Sequence, residues 1–384
     1  IYELFSQDQL PENFQLIGFG RTALSIEVFR ESFIKSIESK FGVGAKGLDQ
    51  LIKKVFYFNG QYDSLKSFEE LQAYSEQLTN GQSVEKIAYF SVPPNVFGNI
   101  VENLGKTLNK SFYPLKIVIE KPFGVDEKSA EHLFKLISDH FEEQQVYLLD
   151  HYLGKRPIQS ILKLRMENNV INLMIKGSEI SGIKILAWEK EGVEKRIGYY
   201  DQVGAMKDMI QSHLLQILAL ITMDIPVHND IASLQREKNN ILSAVRFSGK
   251  AEDLVFGQYK GYANLDGVSE NSTTETLASI KLSIDRREWF NVPIIIETGK
   301  RLEQSKTMVD IEFKKMPSQD PEVASNHLIF EMKPSEKLSL KLIQQRNSKN
   351  KEANRDFEHI LLEQGLMCQT EFCLNDYASL LNDV

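Results

Sequence analysis

The stretch Gln15-Leu-Ile-Gly-Phe-Gly-Arg-Thr-Ala-Leu24 reads as a strand that runs into a Gly-x-Gly turn and then an arginine. Such a run suits a buried strand of a parallel sheet, whose C-terminal end is where nucleotides bind. The third glycine of the dinucleotide fingerprint is absent, and Arg21 stands where that pattern has a small residue. The question it poses is whether this is a phosphate loop or a neighbouring strand of the same sheet.

Outward from it, short apolar runs at 15–19, 55–58, 87–90, 115–119 and 146–149 alternate with amphipathic stretches at 26–40, 67–78, 96–108 and 127–140. Near-continuous β-branched and aromatic runs suit strands buried on both faces, and strand–helix alternation predicts a parallel sheet with crossover helices. Residues 1–150 are therefore expected to form a Rossmann-like, doubly wound α/β domain that binds a dinucleotide. After Asp150 the texture changes. A helix-like patch at 158–166 precedes strands at 182–187, 241–247, 253–257, 277–284, 292–296, 308–313, 327–332 and 338–344. Several alternate apolar and polar residues, the period of a sheet with one wet face. One strongly apolar helix is predicted over 205–223, and 345–356 reads as an exposed polar loop. Residues 151–384 are expected to be an α+β domain with a large, mostly antiparallel sheet.

The chain has 384 residues, 45 basic and 53 acidic, for a net charge of −8. That balance argues against nucleic acid as a partner, because such binding rests on phosphate neutralisation. Cys368 and Cys373 suit free thiols in a reducing compartment, and no ligand spacing predicts a metal. No run of about 18 apolar residues predicts a membrane span.

Four segments carry candidate chemistry. Glu120-Lys-Pro122 ends a buried strand, and Pro122 restricts Lys121 to extended backbone. Asp150, His151, Tyr152 and Lys155 follow the next strand within six residues. A histidine, a phenol and an ammonium can all donate to an anionic oxygen, while a buried Asp150 needs a donor, for which a histidine from elsewhere is the obvious candidate. On the apolar helix, Asp208 and His213 are five residues apart, about 140° around an α-helical axis, so they share no narrow face. The polar stretch 192–201 before it reads as a loop over a pocket, with Glu189 at a strand end. Lys300 sits in a Thr-Gly-Lys-Arg turn after another buried strand. The remaining histidines read as structural or surface residues.

Taken together, Ile119-Glu-Lys-Pro-Phe-Gly124, Asp150-His-Tyr-Leu-Gly-Lys155, Gly198-Tyr-Tyr-Asp201, Asp208-Met-Ile-Gln-Ser-His213 and Thr298-Gly-Lys-Arg-Leu302 resemble the glucose-6-phosphate dehydrogenase family, over nearly the whole chain. The resemblance implies that His213 is the general base at the sugar C1 hydroxyl and Asp150 its carboxylate partner. It implies that His151, Tyr152, Lys155 and Lys300 bind the phosphate of glucose 6-phosphate. Glu189 and Asp208 would hold sugar hydroxyls. Lys121 would lie between sugar and nicotinamide, beside a hinge-like Pro122. Arg21 matches the arginine at the adenosine 2′-phosphate, which favours NADP as cofactor. Ser212 stands where the family more often has asparagine, and Leu148 where an arginine is usual.

On this likeness the opening stretch is the second strand of its domain, its glycines letting the backbone turn beneath the adenosine. The family's first strand and Gly-rich loop would precede Ile1, and its C-terminus would run on beyond Val384. A homodimer or a dimer of dimers built on the large sheet, and a cytoplasmic location, are implied as well. Two alternatives stand beside this reading: another sugar oxidoreductase with the Glu-Lys-Pro motif, and a non-catalytic homologue that binds sugar phosphate.

Overall fold

Two compact units divide the chain near residue 151. The computed structural model describes residues 1–110, 113–121, 123–124, 126–150, 152–193, 196–228, 230–317, 323–345 and 357–365. In the first unit, strands β1 (Leu16–Gly20) and β2 (Val55–Asn59) pair in parallel, with Gly18 opposite Tyr57. Strands β3 (Lys86–Phe90), β4 (Leu115–Glu120) and β5 (Val146–Leu149) form a second parallel sheet in that order. Among the described residues no ladder joins the two sheets. One apolar core serves both: Phe68, Phe97, Ile117 and Ile119 are buried, and Ile17, Phe19 and Phe58 pack against them. Each such side chain contributes about 1.5–3 kcal/mol on leaving water.

The helices between these strands begin where capping chemistry starts them. Ser25 Oγ accepts Val28 N at the head of helix Ile26–Phe41, and Asp126 with Ser129 forms a capping box before helix Glu127–Ser138. Gly18 has a close-packing role rather than a turning one. A Cβ there would lie 2.4 Å from Phe29 Cζ, so glycine leaves room for the Phe29 ring of helix Ile26–Phe41 against β1. Neither Gly18 nor Gly20 has a positive φ, which corrects the expectation that they turn the backbone.

The second unit is built on a sheet of nine strands among the described residues: β6 (Ile180–Trp188), β7 (Val245–Phe247), β8 (Leu254–Gly257), β9 (Leu277–Ile284), β10 (Ile294–Gly299), β11 (Lys306–Phe313), β12 (His327–Lys333), β13 (Lys337–Gln345) and β14 (Phe357–Gly365). Their order is β14-β13-β12-β11-β6-β10-β9-β7, with β8 also on β9. Every pairing is antiparallel except β6 with β10. Along β6, Ile183, Ile185 and Ala187 face the main core, where they meet Ile210, Leu214, Ile217, Leu218 and Ile221. The fold class read from the sequence is the one observed.

Three expected elements differ. The strand expected at 241–247 is only Val245–Phe247, because Ile241 and Leu242 end a helix, Ile231–Leu242. Its cap was legible: Asp230 Oδ1 accepts Ser233 N at 2.8 Å. The helix expected over 205–223 is three pieces, described below. Strand β14 was not anticipated, and 346–356 of the expected loop lies outside the described residues. Among the described residues no helix is long and apolar enough to cross a membrane.

Candidate active site

In the second unit the segment that carries Asp208 and His213 changes its winding twice. Residues Ile197–Ala205 are α-helical except for Gly204 (φ 69°), Met206–Leu214 form a π-helix, and Leu215–Thr222 return to α. Residues 197–201 are thus helical rather than the loop expected. The π frame is seen in the bond from Leu215 N to Ile210 O, five residues back. It is reinforced by Ser212 Oγ, which donates to Lys207 O at 2.7 Å.

This winding overturns the expectation that Asp208 and His213 share no face. A π-helix turns through a smaller angle per residue than an α-helix, so residues five apart, the span of its hydrogen bonds, lie on one side of it. His213 is buried, and the Asp208 side chain is 11 % exposed. Arg196 Nη2 lies 3.5 Å from Asp208 Oδ1.

The His213 ring stacks on Tyr152, which is itself buried. Lys155 Nζ lies 3.5 Å from the Tyr152 ring centroid, a cation held on an aromatic face. Lys155 is placed as the cap of helix Arg156–Glu167, its carbonyl accepting Ile158 N at 2.9 Å. Glu189 and Lys300 meet because β6 and β10 run in parallel and end together, Trp188 opposite Gly299. Lys300 Nζ donates to Glu189 Oε2, and Glu189 N donates to Gly299 O at 2.9 Å. Tyr200, fully buried beneath, holds its ring 5.3 Å from Lys300 Nζ, and burial pushes its phenol far above the usual range.

In the first unit, Lys121 Nζ donates to Asp150 Oδ2 at 2.7 Å. Lys121, at the end of the neighbouring strand, is thus one donor to this buried carboxylate. Glu120 and Lys121 line a cavity of about 330 Å³ with Phe90, Pro93, Pro94 and Phe97, at the C-terminal ends of β3 and β4. Tyr89 Oη donates to Glu120, whose carboxyl is pushed up by burial. Arg21, at the end of β1, is exposed, with its guanidinium 5.4 Å from the centroid of the Tyr62 ring. His151 and Pro122 lie outside the described residues. Of the histidines read as structural or surface, His327 makes a bond to Asp310 at 2.7 Å.

Residues 1–160 match the family model "Glucose-6-phosphate dehydrogenase, NAD binding domain", and residues 162–384 match "Glucose-6-phosphate dehydrogenase, C-terminal domain". The chain belongs to the glucose-6-phosphate dehydrogenase family. It is 35 % identical to the glucose-6-phosphate 1-dehydrogenase of Aggregatibacter actinomycetemcomitans, over 89 % of this chain and 73 % of that one. It is 31 % identical to the chloroplastic enzyme of Spinacia oleracea, again over 89 % of this chain, and spans 63 % of that relative's length. Among solved structures it resembles a glucose-6-phosphate dehydrogenase in complex with its substrate glucose-6-phosphate, at a TM-score of 0.89 and 28 % identity, covering 100 % of this chain and 81 % of the other. The glucose-6-phosphate dehydrogenase fold accounts for the order of its parts: a parallel α/β unit first, then the large mixed sheet. Glu275 and Arg165 belong to none of the motifs quoted above, and each has a backbone partner more than 50 residues away in sequence.

Proposed function

We propose that the protein oxidises glucose 6-phosphate at C1 to 6-phosphogluconolactone with NADP, the first step of the oxidative pentose phosphate pathway. The observation that carries this reading is the π-helix, which puts a buried imidazole and a carboxylate on one face, with the Tyr152 ring stacked on the imidazole and Lys155 Nζ held on the Tyr152 ring. A sugar phosphate needs that combination: a base for one hydroxyl, acceptors for the others and cations for the phosphate.

In this reading His213 takes the C1 hydroxyl proton as a neutral base, worth about 10²–10⁴ in rate for such a group. Asp208 and Glu189 accept hydrogen bonds from sugar hydroxyls. Lys155, Tyr152, Lys300 and His151 donate to the phosphate oxygens. Asp150 is assigned the carboxylate that favours the charged imidazole, a role carried by the family likeness. NADP, when bound, supplies the hydride acceptor. The residues present suit it: Arg21 is an exposed guanidinium at the end of a parallel strand, the geometry for a bidentate phosphate contact, and Lys121 stands at the end of another. Residues 1–150 are proposed as the dinucleotide-binding domain and 151–384 as the substrate-binding and dimerisation domain.

A homodimer, or a dimer of dimers, is proposed on the large sheet, in the cytoplasm, with neither nucleic acid nor membrane as partner. The test is NADP reduction by the full-length protein with glucose 6-phosphate, and with glucose as control. His213→Ala should remove most turnover while sugar-phosphate binding persists. Normal turnover in that variant would overturn the base assignment. Equal rates with glucose would favour another sugar oxidoreductase, and binding without turnover a non-catalytic homologue.

A further inference from the structure

We propose that Glu275 is a positioning residue that fixes the start of the π-helix and thereby sets Asp208 and His213 on one face. A helix start leaves backbone N–H groups without partners inside the helix, and a carboxylate is the strongest group to satisfy them. Glu275 does so once with its carboxylate and once with its backbone carbonyl. Its Oε1 accepts Met206 N at 2.9 Å, and its carbonyl accepts Ala205 N at 3.0 Å. The same carbonyl accepts Tyr200 Oη at 3.3 Å, from the helix on the other side of the break.

Gly204 makes the approach possible. A Cβ there would lie 2.4 Å from Glu275 Oε1, and its φ of 69° belongs to glycine in any case. The clamp therefore holds the first two residues after the break at set heights. The nine-residue π-helix that starts at the second of them reaches the α-helix Leu215–Thr222, whose register is fixed by its own burial in the core. An i+5 frame is rarely stable on its own and tends to occur at functional sites. Here it spans two fixed ends. Released from Glu275, the segment is free to rewind to i+4, which carries Asp208 about 140° from His213.

The next residue extends the same anchor to the second cationic group of the site. Thr276 is fully buried; its carbonyl accepts Lys300 N and its Oγ1 accepts Tyr259 N, both at 2.8 Å. Two consecutive residues thus tie the π-helix and the Lys300 turn to the start of β9.

The inference rests on the sugar-phosphate reading above, and its test separates the two. In the full-length protein, E275Q keeps an acceptor for Met206 N, E275D keeps the charge but is one methylene too short, and E275A has neither. E275A and E275D should lower kcat/KM for glucose 6-phosphate about tenfold or more, mostly in kcat. KM for NADP should stay near the wild-type value, and amide hydrogen exchange over 206–214 should rise. E275Q should recover most of the rate and the protection. Wild-type kinetics and exchange in E275D would overturn the proposal, as would equal loss in E275Q and E275D. Should E275A fail to fold, the comparison of E275D with E275Q still decides. Should wild type show no turnover with glucose 6-phosphate, the functional reading fails, and exchange over 206–214 alone decides the role of Glu275.

Discussion

Tyr152 lies ring to ring on His213, with centroids 4.4 Å apart and planes 17° apart. A stack of this kind is worth about 0.5–1.5 kcal/mol beyond the area it buries, and it limits the tilt of the imidazole. Two roles of Tyr152 can thus be separated. Y152F keeps the ring and should raise KM for glucose 6-phosphate with little change in kcat. Y152A loses the stack as well and should lower kcat about tenfold, the equivalent of 1.4 kcal/mol. Steady-state kinetics of the pair check this, and unchanged kcat in Y152A would remove any role for the stack.

Arg21 is the residue proposed to select NADP. R21A should raise KM for NADP about tenfold to a hundredfold, the loss of one or two charge-assisted hydrogen bonds. KM for NAD should move little, because NAD has no 2′-phosphate. Equal losses with both cofactors would show that Arg21 matters only through its packing on Tyr62.

Arg165 is buried, and its guanidinium closes the C-terminal end of helix Leu215–Thr222. Nη1 donates to Leu220 O at 2.6 Å and Nη2 to Met223 O at 2.8 Å. Burial pulls its pKa down to about 10, so the charge persists at neutral pH. R165M removes both donors from buried carbonyls and should cost about 2–4 kcal/mol in urea unfolding. R165K, which keeps the charge without the fork, should recover part of that loss. Stability unchanged in R165M would mean the carbonyls find other donors.

His327 on β12 bonds through Nδ1 to Asp310 on β11, and that hydrogen bond raises its pKa above the model-peptide value of 6.5. The raised folded-state value sets the sign. The pair's contribution is complete below about pH 6.5 and is lost as pH rises through the folded-state value. With both groups partly exposed, the amount is about 1 kcal/mol or less. H327Q should flatten the pH dependence of the urea midpoint above pH 6.5, and an unaltered slope would exclude His327 as its source.

Much of this architecture was legible because it is written in burial period. The middle of β4, Ile117 to Ile119, is apolar and buried on both faces, whereas Ile87, Tyr89 and Leu148 on the flanking β3 and β5 are exposed, and β6 buries Ile185, Leu186 and Ala187 in succession. The site residues were legible as chemistry placed at strand ends, where backbone direction alone carries Lys121, Asp150, Glu189 and Lys300 out of their sheets. The Ile231–Leu242 helix was legible too, through Asp230, but Ile241 and Leu242 merged with Val245 into an apparent apolar strand.

By itself, then, the sequence determined most of the strands and helices, which residues carry ionisable groups and which family they resemble. Tertiary structure decided how those groups face one another. Asp208 and His213 share a side because Glu275, 67 residues after Asp208, caps a helix start and so selects an i+5 frame that no local pattern encodes. Asp150 has Lys121 as a donor because β4 and β5 are neighbours, and Glu189 meets Lys300 because β6 and β10 are the one parallel pair of their sheet among the described residues. The physical reason is common to all three. Periodicity reports how much of a residue is buried, whereas partner and winding are set by contacts between segments far apart in the chain.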